Sequence, residues 1–172
     1  ILSGLVGSEM CIRDSRMTSY LSHQRRGARP QTTPSDPHTQ LEQNAPVELQ
    51  ELVFERGQSL GSVEVGPSQV SVPGARAFYL PRCGCQSFGA FMFGKEFTHI
   101  HPPSDGSLHM TLPPEIVPQV IENGWAELHP LAGQYGLPGN IVMVYGPRDD
   151  EELQVVCDLL TASHTAATSP EA

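Results

Sequence analysis

From Phe88 to Pro147 the apolar residues come in short runs, each cut within a few positions by glycine, proline or a charged pair, and this punctuation limits what the chain can build there. The runs "FGAFMFG" (88–94), "FTHI" (97–100), "SLHMTL" (107–112) and "IVMVY" (141–145) are too short for buried helices and of the right length for strands. The first three are separated only by Lys95-Glu96 and by Pro102 to Gly106, so they are expected to pair antiparallel. Upstream, residues 63–82 alternate apolar with polar around the turn dipeptides Gly66-Pro67 and Pro73-Gly74, the pattern of a hairpin.

Helices interrupt this series where the pattern changes. Pro114 suits a first helical position, Ile116, Val117, Val120 and Ile121 give one apolar face, and Asn123-Gly124 closes the segment. A second helix starts after Gly146-Pro147, with Asp149 as N-cap, Glu152 as its capping-box partner, and Val156, Leu159 and Leu160 turned to the core. A shorter amphipathic stretch, "LQELVFERGQSL" (49–60), adds one or two helical turns ending at Gly57. The expected fold class is α+β: a single domain with a mostly antiparallel sheet and two or three helices packed on one face.

The chain has 172 residues, 38% of them apolar, enough for one core. Its formal charge is −9, and Arg13, Arg16, Arg25, Arg26 and Arg29 lie in the first thirty positions, so no basic face suited to nucleic acid exists beyond them. No apolar stretch approaches the roughly 18 residues of a membrane span. Residues 1–16 contain "GLVGSEMCIRDS" (4–15), which resembles translated adapter sequence; they are set aside, with Met17 the expected start. Residues 17–46, rich in Gln, Pro, Ser, Thr and Arg, are expected to be a disordered leader, 47–165 the folded domain, and 166–172 a disordered tail. Cys11 and Cys157 suggest no framework, and Cys83 and Cys85 are too close for an ordinary disulfide, so reduced thiols and a cytoplasmic setting are expected.

Chemistry concentrates between His99 and Arg148. Side chains two apart on a strand share a face, so His99 and His101 project together, as do Ser107, His109 and Thr111 on the next strand. His129 follows in "GWAELHPLAG" (124–133). Imidazoles titrate near neutrality and suit proton abstraction from an enol or hydroxyl. A histidine-ligated metal is the rival use of the same pattern, with Glu96 and Asp105 the nearby carboxylates. Trp125 is either a core anchor or the wall of an aromatic-ligand pocket. Arg148 either meets an anion at the helix N-terminus or pairs with the acidic run that follows it, and Tyr145 stands on the same rim.

Taken together, "HIHPPSDGSLHM" (99–110), "GWAELHPLAG" (124–133) and "VYGPRDDEELQVV" (144–156) resemble, in order and spacing, successive blocks of the fungal luciferase-like domain family. The resemblance covers about residues 88–163. It implies an oxygenase that joins molecular oxygen to a 3-hydroxy-2-pyrone such as 3-hydroxyhispidin, using no metal or flavin, through an endoperoxide that loses carbon dioxide. On that resemblance His99, His101, His109 and His129 are the expected catalytic residues, and Asp105, Trp125, Tyr145 and Arg148 the expected substrate-binding ones. The expected partner is a small-molecule substrate, with no cofactor. A non-catalytic small-molecule binder and a metal enzyme are the alternatives.

Overall fold

The computed structural model describes residues 19–81 and 89–169. Helix α1 (Ser19–Ser22) and α2 (Val47–Gln58) precede strands β1 (Glu64–Pro67), β2 (Arg76–Tyr79), β3 (Glu96–Ile100) and β4 (Leu108–Thr111). Helix α3 (Val117–Glu122), β5 (Ala126–Leu128), β6 (Ile141–Val144) and α4 (Asp150–Thr168) follow. The strands form one sheet in the order β1-β2-β3-β4-β6-β5, antiparallel throughout. The α+β reading holds.

Strand alternation gives this sheet two different faces. Ile100, Leu108, Met110, Val142, Val144 and Ala126 lie on one, fully buried in a single core with Val156, Leu159 and Leu160 of α4. On the other, one cross-strand row runs Ala77, His99, His109, Met143, Glu127, each residue opposite the next. The registers that bury the aliphatic set therefore line up polar groups on the reverse side, because a one-residue slip would exchange the two sets.

A bulge in β3 matters for that row. Tyr79 pairs with Glu96 and Phe78 with Thr98, which leaves Phe97 as an extra residue. Residues three apart on a regular strand face opposite ways; the bulge brings Glu96 onto the side of His99. Helix α4 begins as the sequence suggests, with the Asp149 carboxylate accepting from the Glu152 N–H at 3.0 Å. Asp149→Ala is expected to lower stability by about 1 kcal/mol, seen as a lower urea midpoint at unchanged slope.

Three expectations change, and one strand is added. The run 88–94 is no strand over its described part: Gly89 and Gly94 take φ of 92° and 57°, outside the extended region, and residues 89–95 turn back toward β3. Strand β5, short and half polar, carried no periodic signal and is held by pairing with β6. The tail is helical as far as Thr168, with Ala167 fully buried. Most consequentially, the described part of the leader is ordered against the domain. Tyr20 is 2% exposed in the core, Asn123 donates to the carbonyls of Tyr20 and Leu21, and Thr32 bridges Gln40. Polar anchors rather than apolar periodicity order this segment, which is why composition alone pointed to disorder. The adapter-like residues, Cys11, Cys83 and Cys85 lie outside the described residues. Among the described residues no helix is long and apolar enough to cross a membrane.

Candidate functional site

The polar face of the sheet carries a histidine cluster centred on His109. Its Nδ1 lies 3.1 Å from Nε2 of His99 and 3.1 Å from Nε2 of His101, and its Nε2 lies 3.1 Å from Nδ1 of His38. His129, on the chain leaving β5, packs edge-on against His109 with ring centroids 4.7 Å apart. The four histidines expected from the sequence thus share one site, and a fifth, His38, comes from the segment read as a leader.

Three of the four imidazoles around His109 are backed by a carboxylate. His99 Nδ1 is 2.8 Å from Glu96, His101 Nδ1 is 2.5 Å from Asp105, and His38 Nε2 is 2.7 Å from Glu127. Burial alone would raise the pKa of each of these carboxyls. Hydrogen bonds outweigh it: from His99, Ser68 and the Gln69 N–H for Glu96; from His101 and Ser107 for Asp105; from His38, Thr32 and Tyr145 for Glu127. All three are held below the ordinary carboxylate range, ionised and acceptor-only. The imidazoles shift the other way. Burial, then the neighbouring imidazoles, pushes His109 well below its usual value and His129 down to about 4, and burial lowers His99 despite Glu96.

These rings line a cavity of about 390 Å³, within the range of small-molecule sites. Its other walls are Met92, Ile141, Leu131 and Leu137, the loop Val70 to Pro73, and Asp36 to His38. The cavity is therefore mostly apolar above its floor of imidazoles, with Asp36 and Ser71 the other polar side chains in its wall. Among the described residues, two groups place nitrogen atoms closely enough to hold a metal: His99, His101 and His109, and His38, His109 and His129.

The remaining expected residues take up other positions. Asp105 orients His101 and accepts from the Ser107 N–H at 3.0 Å, rather than lining the cavity. Tyr145 donates to Glu127 at 2.8 Å, one step behind His38; burial and that carboxylate raise its pKa. The Trp125 indole donates to the His23 carbonyl at 2.7 Å and faces the N-terminal segment and α4. Arg148 pairs with Glu152, its Nε donating at 2.9 Å, and with Gln43 and the Arg26 carbonyl. Asp105 and Tyr145 thus belong to the cluster's hydrogen-bond network, whereas Trp125 and Arg148 join the N-terminal segment to the domain.

Residues 94–163 match the model of a family described as Luciferase domain. Over that stretch the chain is similar to a luciferase domain. Proteins named Luciferase from Armillaria gallica and Armillaria mellea are each 39% identical to it over 72 residues, and the Luciferase of Neonothopanus nambi is 38% identical over the same length. The match takes in 40% of this chain and 27% of each relative, so it spans a little over a quarter of the length of these luciferases. No solved structure matches. The luciferase-domain match encloses His99, His101, His109 and His129 with Glu96, Asp105 and Glu127, while His38 lies outside it.

Proposed function

We propose that this protein is a luciferase-like oxygenase acting on an enolisable aromatic or hydroxypyrone small molecule. The observation that carries the reading is a histidine-floored, mostly apolar cavity, four of whose five histidines lie in a segment similar to mushroom luciferases. Neutral imidazoles beside an acidic ring hydroxyl accept its proton and leave an electron-rich enolate. The enolate transfers electrons to oxygen, two carbon–oxygen bonds close an endoperoxide, and its collapse expels carbon dioxide. Substrate plus O2 gives an oxidised product plus CO2, and no external reductant enters. The apolar walls keep water from the peroxide.

The test is oxygen uptake by the purified chain with 3-hydroxyhispidin, with carbon dioxide counted in parallel. Uptake and release in equal amounts are expected, and His109→Ala should slow turnover by at least about 100-fold while circular dichroism stays that of the parent. Absence of uptake, with the hydroxypyrone bound tightly, would instead establish the protein as a binder.

A further inference from the structure

We propose that Nε2 of His99, Nε2 of His101 and Nδ1 of His109 form a site for a single divalent first-row transition metal. The argument is one of proton placement. An ionised carboxylate only accepts, so the nitrogens facing Glu96, Asp105 and Glu127 must carry the protons: Nδ1 of His99, Nδ1 of His101 and Nε2 of His38. In the neutral rings the opposite nitrogens, Nε2 of His99, Nε2 of His101 and Nδ1 of His38, are then lone pairs. The lone pair of His38 Nδ1 faces His109 Nε2 at 3.1 Å, so His109 carries its proton on Nε2. That leaves Nδ1 of His109 as a third lone pair, 3.1 Å from both of the others.

With every ring neutral, three lone pairs converge in a buried spot and none of the three nitrogens has a hydrogen to share. A cation removes that repulsion. For metal–nitrogen bonds of about 2.0–2.1 Å, neighbouring ligands stand roughly 3.0 Å apart at right angles and about 3.4 Å apart at the tetrahedral angle, and the observed 3.1 Å falls between them. All-imidazole ligation suits Zn, Fe, Co, Ni or Cu and not Mg or Ca, which require oxygen donors. Carboxylates behind ligating histidines are the usual device for fixing the tautomer. The same bookkeeping disfavours the alternative trio. His129 Nδ1 accepts from the Leu131 N–H at 3.1 Å, which puts its proton on Nε2, and His38 Nδ1 is already engaged by His109. The open side of the proposed site is the cavity, as in catalytic rather than closed structural centres.

This rests on the oxygenase reading and changes it in one respect, since nitrogens that hold a metal cannot also take the substrate's proton; it is tested without substrate or oxygen, so its failure leaves the imidazole-base reading standing. The chelator-treated full chain is titrated with Co2+ and with Zn2+. One equivalent is expected to bind, with visible ligand-field bands from Co2+ that Zn2+ abolishes. Zn2+ should shift the imidazole nitrogen resonances of His99 Nε2, His101 Nε2 and His109 Nδ1 in the unmutated protein. His99→Ala should weaken Co2+ binding at least 100-fold, Glu96→Gln about 10- to 100-fold, and His129→Ala less than threefold. The proposal is overturned if the unmutated chain takes up no stoichiometric metal. It is equally overturned if the shifted nitrogens are those of His38 and His129, or if His129→Ala loses the metal that His99→Ala keeps.

Discussion

A chain shortened to begin at Val47 is expected to lose at least about 5 kcal/mol of stability, a large share of what a domain of this size possesses. Removing a disordered leader would cost nothing, so this experiment separates composition from structure. The deletion takes Tyr20 out of the core, where removal of a large buried side chain costs about 3–5 kcal/mol. It also strips Arg25 from Glu152, the backbone acceptor from the Trp125 indole, and the Gln40 side-chain amide oxygen (Oε1) that receives the Gly146 N–H at 3.0 Å. With His38 gone, Glu127 and Nε2 of His109 lose their common partner. Urea unfolding of the two lengths decides the matter, and midpoints within about 0.3 M of each other, for a slope of the ordinary 1–3 kcal/mol/M, would return the segment to the status of a leader.

That case shows where sequence reading runs out. Strands β3, β4 and β6 and helices α3 and α4 were legible because their apolar spacing and their caps are local properties of a few consecutive residues. The convergence of His99, His101, His109 and His129 was legible for a similar reason: strand parity places two of them together, and a short turn brings the third opposite. His38 was not, since nothing local distinguishes "PHTQ" (37–40) from a polar linker; its meaning comes from Glu127 and His109, 89 and 71 positions away. Glu96 was visible as a nearby carboxylate, but its approach to His99 depends on the bulge at Phe97, and no spacing rule places a bulge. Arg148 and Trp125 illustrate the opposite error. Both residues sit in blocks that resemble luciferases, and both satisfy their polar groups on the N-terminal segment or α4 instead of in the cavity.

The ion pair that joins this segment to α4 carries the second large effect. Glu152 and Arg25 each have side chains only 2% exposed and stand 3.4 Å apart, while Arg148 reaches the same carboxylate from the rim. Glu152 also accepts from the backbone N–H of Arg148 at 3.0 Å. In Glu152→Ala the Arg25 guanidinium stays buried beside a second cation with no anion between them. Burial already lowers the pKa of Arg25, and Glu152 is the chief group opposing that shift. Breaking a buried pair from one side costs about 3–5 kcal/mol, because the remaining charge keeps its desolvation penalty and loses its compensation. Arg148→Ala should cost about 1 kcal/mol or less, since that side chain is 29% exposed and water replaces its bonds. The expected order is therefore Glu152→Ala far below Arg148→Ala, with Glu152→Gln between them because the amide oxygen still accepts from Arg148. The Glu152→Ala deficit should also persist in 0.5 M salt, which screens exposed pairs and leaves buried ones nearly untouched. Equal losses in the two alanine variants, or a Glu152→Ala deficit that salt removes, would show that the pair acts as a surface contact and that Tyr20 and the backbone bonds anchor the segment without it.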